Sequence, residues 1–246
     1  MSQQVKRALR DPMLVTKAII VVNILMFVAK AADNGGGGNV FARGSVTPFD
    51  EKFGLSDLGL AAGDWWQPLT SGFVHYGMIH ILFNMFILWR LGEQLEDGIG
   101  RGRYVTLYFA SMFAGSFGSI LLDNGVAGGA SGAVFGLAAA ATVALRQRGL
   151  SFWQTGWGPL LGINLLLTFT QPNVSIGGHL GGLVGGVILG FVMLDPHTAI
   201  HRRGAGVAVG ILIMVASIAG AFAIVDNRLG TCVELRDSGR YICDKS

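Results

Sequence analysis

The feature that most constrains this chain is a series of apolar stretches long enough to cross a lipid bilayer. A membrane helix needs ~20 mostly apolar residues, fewer where it stops short of one interface. Seven stretches qualify: Val15–Ala32, Met78–Leu91, Tyr104–Leu122, Ser131–Leu145, Gly158–Thr170, Ile176–Leu194 and Gly206–Val225. The last five contain no Asp, Glu, Lys or Arg. The second, fourth and fifth are short and cover only ~20–23 Å at 1.5 Å per residue. Short spans leave room for water at one end. Composition removes the alternatives. Charged residues are 13% of the 246, about half the ~25% of a soluble domain. Glycine is abundant, 38 residues, but there is no G-X-Y period and only 6 Pro, which excludes collagen. A hydrophobic content of 51% excludes disorder. The net charge of +3 is small and scattered, so no nucleic-acid partner is implied. Two Cys cannot build a disulfide-rich scaffold. The fold class read from this pattern is an all-α polytopic membrane protein.

Positive charge orients the spans. With the N-terminus inside, the inner segments hold Lys6, Arg7, Arg10 and Lys17, then Arg101 and Arg103, Arg146 and Arg148, and Arg202 and Arg203. The short outer loops near Asn124 and Pro172 hold no Lys or Arg. A cytoplasmic N-terminus and an extracellular or periplasmic tail are expected, in a cell membrane. No cleavable signal peptide is expected, because the first apolar stretch is long and lacks a small-residue cleavage site. The outer loop from Asp33 to Phe73 is long for a structureless connection, so it is expected to be functional or partly folded. Trp65, Trp66, Trp153 and Trp157 read as interface-belt residues.

Glycine writes a packing pattern. Gly178, Gly182, Gly186 and Gly190 recur every four residues, as do Gly132, Gly136, Ala140 and Ala144. Such positions share one helix face, and small-xxx-small stripes let two backbones approach closely in lipid. The two stripes are expected to pack against each other within the chain. Dimerisation between chains is the other reading of the same stripes.

At the head of each stripe stands a residue with chemistry. Ser131 precedes Gly132, and His179 follows Gly178. Ionisable residues inside a span are expensive and are functional candidates. His197 and His201, by contrast, lie among arginines in an inner loop. Gly128-Gly129-Ala130-Ser131-Gly132 sets a serine on a glycine-rich turn at a helix start, where backbone N–H groups are unpaired and can face a developing oxyanion. Both residues begin helices that run from outside to inside, so their depths match. A serine with a histidine is an acyl-transfer nucleophile with its base. The histidine's span has no carboxylate, so the pair reads as a Ser–His dyad. The second span adds His75, His80 and Asn84. His80 and Asn84 share a face at i, i+4 and are candidates for oxyanion stabilisation, or for a polar contact between helices. There is no H-E-x-x-H and no pair of spanning aspartates, so neither the zinc nor the paired-aspartate mechanism is supported. No metal or organic cofactor is implied.

These residues resemble the rhomboid intramembrane serine proteases. Gly129-Ala130-Ser131-Gly132 fits the family's G-x-S-G. His179 with Gly182 and Gly186 fits its H-x-x-G-x-x-x-G, and His75, His80 and Asn84 fit its H-x-x-x-x-H-x-x-x-N. Leu91-Gly92 through Glu96 fits the end of its second helix. The motifs keep the family's order over about residues 65–195. The resemblance implies a six-helix core, here with one additional C-terminal transmembrane helix. It implies catalysis by Ser131 as nucleophile and His179 as general base. His80, Asn84 and the Ser131 backbone are implied as oxyanion donors, and Phe135 as the ring against the imidazole. Where the family's first loop often has Trp-Arg, this chain has Trp65-Trp66-Gln67, a departure in loop anchoring and not in chemistry.

The resulting expectation is a serine endopeptidase that cleaves single-span membrane proteins within or beside their spanning segment. Its parts are a cytoplasmic N-terminus (1–14), a protease core (15–195), an inner loop with a seventh span (196–225) and an outer tail (226–246). The seventh span carries no ionisable residue from Gly206 to Val225 and is assigned to packing or topology. Cys232 and Cys243 are placed outside, as a disulfide across a turn at Ser238-Gly239 or as two free thiols. The rival from another class is a non-catalytic membrane protein that binds or escorts client helices in the same glycine-packed groove.

Overall fold

The computed structural model describes residues 11–33, 46–151, 153, 158–159, 162, 175–194, 203–235 and 240–244. The expected fifth span, Gly158–Thr170, falls largely outside these residues, as do Trp157, His197 and His201. The long helices are α1 (Leu14–Asp33), α5 (Met78–Ile99), α6 (Arg101–Leu122), α7 (Ser131–Gln147), α8 (Ile176–Leu194) and α9 (Arg203–Leu229). Between α1 and α5 the connecting segment contains three short helices: α2 (Pro48–Phe53), α3 (Asp57–Ala61) and α4 (Gln67–Thr70), the last running into a 3₁₀ turn, Ser71–Phe73. Two antiparallel strands, β1 (Thr231–Leu235) and β2 (Arg240–Asp244), close the chain. Among the described residues, α1, α6, α8 and α9 are long and apolar enough to cross a membrane, and α5 makes a fifth with the bent segment before it. The protein is a mostly helical, multi-pass membrane protein.

The centre is made by glycine. A Cβ on Gly182 would overlap the backbone of Gly132, and one on Gly186 the backbone of Gly136. Gly190 faces Ala140 in the same register. The two stripes therefore meet inside one chain. A second stripe, absent from the sequence reading, runs beside the first on α8: Gly177 lies against Gly118, Gly181 against Ala114 and Gly115, and Gly185 against Ala114. The doublets at 177–178, 181–182 and 185–186 thus make α8 a two-sided wedge between α6 and α7. Outward faces are apolar, as lipid requires: Leu25, Ile79, Leu82 and Leu212 are each at least 60% exposed.

The outer helices are fastened by polar anchors. The buried Glu96 carboxylate accepts from the Val15 and Thr16 N–H groups, both at 2.8 Å, and from the Thr16 hydroxyl at 2.6 Å. It therefore caps the start of α1, where N–H groups have no helical partner. At the other end of α1, Lys30 pairs with the fully buried Asp50 at 2.6 Å. Asp50 also closes a capping box with Thr47 at the head of α2. Gln67, fully buried, donates to the Glu51 carbonyl (2.9 Å) and accepts from the Ser56 N–H (3.0 Å). This glutamine anchors the loop.

The tail forms a cystine. Cys232 and Cys243 face each other across the hairpin and are disulfide-bonded. The turn expected at Ser238-Gly239 lies outside the described residues.

Candidate active site

Ser131 is the first residue of α7 and His179 lies in the first turn of α8. The backbone contact of Gly132 with Gly182 sets the distance between the two helix heads. Ser131 Oγ and His179 Nε2 are 2.8 Å apart. The imidazole is 5% exposed, and the Phe135 ring packs on it at 4.4 Å between centroids, tilted by 30°. The head of α8 is itself capped. Ser175 accepts from the Gly178 N–H at 2.7 Å and donates to Asp123 at 2.5 Å, while Asp123 accepts from the Gly177 N–H. This network was not foreseen, because Asp123 and Ser175 belong to separate loops.

The turn before Ser131 is shaped for close approach. Gly129 adopts φ +134°, a conformation costly for any residue with a Cβ, and a Cβ there would stand 2.9–3.0 Å from the His80 ring. His80 thus lies over the serine turn, with the His75 ring centroid 4.9 Å away and the Tyr76 ring stacked at 6.3 Å. The Tyr76 hydroxyl donates to the Val126 carbonyl at 2.9 Å. Asn84 is buried, and its amide donates to the His80 carbonyl of its own helix at 3.0 Å. Ser131, His179 and His80 are therefore brought together. Asn84 is bonded to the backbone of its own helix one turn after His80.

A cavity of ≈ 40 Å³ opens at Ser131, bounded by Ser71, Ser116, Ser119 and Ser175. Its volume suits water, which needs roughly 10–15 Å³ and two to four polar partners. These serines come from three separate segments, with Ser116 and Ser119 both on α6, which is why spacing in the sequence did not reveal them. Among the described residues no three His, Cys, Asp or Glu side chains gather as a metal would need.

The family model described as the Rhomboid domain matches residues 62–196. Similar proteins include the rhomboid protease GluP of Bacillus subtilis (strain 168), 36% identical over 175 residues, which are 70% of this chain and 33% of GluP. YdcA of the same organism is 32% identical over 144 residues, 56% of this chain and 72% of YdcA. The RHOMBOID-like protein 6, mitochondrial, of Arabidopsis thaliana is 30% identical over 213 residues, 73% of this chain and 68% of that protein. The chain belongs to the rhomboid family. It spans about a third of the length of GluP.

Proposed function

We propose that the protein is a serine endopeptidase that hydrolyses peptide bonds within or next to the transmembrane segments of other membrane proteins. The observation that carries this reading is the 2.8 Å contact between Ser131 Oγ and His179 Nε2 at the heads of two glycine-locked helices, beside a water-sized cavity. Ser131 Oγ attacks the scissile carbonyl while its proton passes to His179 Nε2. The imidazolium then protonates the leaving amine. Water from the cavity, deprotonated by His179, hydrolyses the ester and restores both residues. No carboxylate is needed where the Phe135 ring and a buried pocket hold the imidazole.

The oxyanion is received by the Ser131 backbone N–H at the helix start, by His80 over the turn and by Asn84. The Asn84 amide has two hydrogens. One is bonded to the His80 carbonyl, and the second is the one offered to substrate. Single-span proteins are the proposed substrates, entering from the bilayer on the outer side. A 17-residue α7 is about 25 Å long, shorter than the ~30 Å hydrocarbon core, which supports a serine set below the outer surface. A cytoplasmic N-terminus and an outer tail complete this topology.

Cleavage of a panel of single-span proteins, with cut ends mapped by mass spectrometry, tests the reading. Ser131→Ala and His179→Ala are expected to abolish cleavage while the protein remains folded in membranes. Full turnover by a folded Ser131→Ala variant rejects the mechanism. Asn84→Ala or His80→Ala should reduce the rate more than the affinity, by up to ~2.7–4 kcal/mol for a lost oxyanion donor.

A further inference from the structure

The residues of the site lie on α5 to α8, yet the C-terminal end of α9 is built into the segment that leads to Ser131. Val225 and Ala221 of α9 are 2% and 1% exposed, in one cluster with Ile120 at the end of α6 and with Leu55 and Leu60 of the outer loop. Ala127 packs on the same cluster. One turn further along α9, Arg228 donates from Nη1 to Asp57 Oδ2 (3.0 Å) and to the Ile120 carbonyl (2.7 Å), and from Nη2 to the Leu121 carbonyl (3.1 Å). These carbonyls belong to the last turn of α6, where helical partners run out. A guanidinium, with five donors in a rigid fork, suits several acceptors at once.

From that point the chain runs directly to the catalytic turn. Leu55 and Ala127 exchange two backbone hydrogen bonds, each 2.8 Å, and the Gly129 N–H donates to the Ser71 carbonyl at 2.8 Å. The end of α9 therefore presses on Leu55 and on the end of α6, and these two set the path of residues 123–130. The Gly128–Gly129 turn, with His80 above it, is the last link before Ser131. No side chain of α9 has to touch the reacting atoms.

We propose that Arg228, with Val225 and Ala221, is a clamp that positions the Gly128–Ser131 turn, so that the end of α9 is a positioning element of the active site. The proposal rests on Ser131 being the nucleophile. The Arg228–Asp57 pair is itself partly exposed, with side chains 38% and 29% accessible, and such pairs stabilise little. Its effect lies in register: three segments are held to one another at the base of the turn. A displacement of about 1 Å at a reacting group can cost ~100-fold in rate.

The test is the rate at which a fluorophosphonate probe labels Ser131 in the full chain in detergent, alongside the thermal midpoint. Arg228→Ala and Val225→Ala are expected to lower the maximal labelling rate about tenfold or more, with the probe's half-saturating concentration and the thermal midpoint near wild type. Arg228→Lys should recover part of the rate. Leu212→Ala, on the lipid-facing side of the same helix at 65% exposed, should label as wild type. Wild-type labelling rates in both Arg228→Ala and Val225→Ala overturn the clamp while leaving Ser131 as nucleophile. Equal slowing by Leu212→Ala also overturns it, because the effect would belong to the whole span. Should Arg228→Ala fail to accumulate, Val225→Ala, which removes only two methyl groups, decides alone. Absence of Ser131 labelling in the wild type instead removes the functional reading beneath it.

Discussion

Helices α8 and α9 are both apolar and long enough to span a membrane, yet they are held in different ways. Half of the apolar window of α8 is buried within the protein, against 17% for α9 and likewise for α1. Along its length α8 meets its neighbours backbone to backbone, through glycines with no side chain to adjust. The outer helices touch their neighbours less, and polar anchors fix their ends: Glu96 at the head of α1, Lys30 with Asp50 at its tail, and Arg228 at the tail of α9. In lipid, apolar area gives no net drive for one helix to join another. Close packing or hydrogen bonding must supply it. The proposed chemistry sits where the close packing is, because a 2.8 Å contact between two helices requires a fixed interhelical distance.

The largest effect should follow from forcing that distance. Gly182→Leu would drive a side chain into the Gly132 backbone, and overpacking of this kind costs roughly 1–3 kcal/mol or more. The thermal midpoint in detergent and Ser131 labelling should fall together. An unchanged, active Gly182→Leu protein would break the contrast at its first term. Next comes the anchor of α1. Asp50→Ala leaves the ammonium of Lys30, a side chain only 12% exposed, without its carboxylate, and breaking a buried pair costs about 3–5 kcal/mol. Here Lys30 also donates to the His75 carbonyl at 3.3 Å, so a loss nearer 3 kcal/mol is expected, read by thermal unfolding. Lys30→Met with Asp50→Leu should restore much of it; failure to do so would mean the pair does more than anchor. Reducing the Cys232–Cys243 bridge should remove ~3 kcal/mol of local stability by the chain-entropy estimate and leave the glycine core intact. Alkylation of intact cells by a membrane-impermeant reagent should occur only after reduction. Labelling that requires an opened membrane would invert the proposed topology. The smallest effect belongs to the lipid face, where Leu212→Ala should shift stability by no more than ~0.5 kcal/mol.

The sequence exposes these two kinds of helix unequally. The bounds of α8 coincide with the apolar stretch Ile176–Leu194, which the sequence brackets with Pro172 on one side and Asp195-Pro196 on the other. The second stretch reads as ending at Leu91, whereas α5 continues to Ile99. Its last turns carry Glu93, Glu96 and Asp97, which hydropathy takes for loop although Glu96 is buried as an anchor. Ser131 and His179 are visible because a glycine-rich turn and a histidine in a charge-free span are both rare. The serines of the cavity and the Asp123–Ser175 cap are not, since each is ordinary until the fold brings them together. The Thr47-Pro48-Phe49-Asp50 start of α2 was within reach, as a threonine followed three residues later by an acidic partner signals a helix start.

The Glu96 anchor also bears on biogenesis. Thr16 and its carboxylate partner are 80 residues apart in sequence. At synthesis rates of roughly 5–20 residues per second, the head of α1 waits between about 4 and 16 s before its acceptor leaves the ribosome. Through that interval the head of α1 lacks its cap, and of its two polar anchors only the Lys30–Asp50 pair at the other end has both partners made. Docking of the head of α1 is therefore a late event in assembly, and the arrival of residue 96 sets its timing.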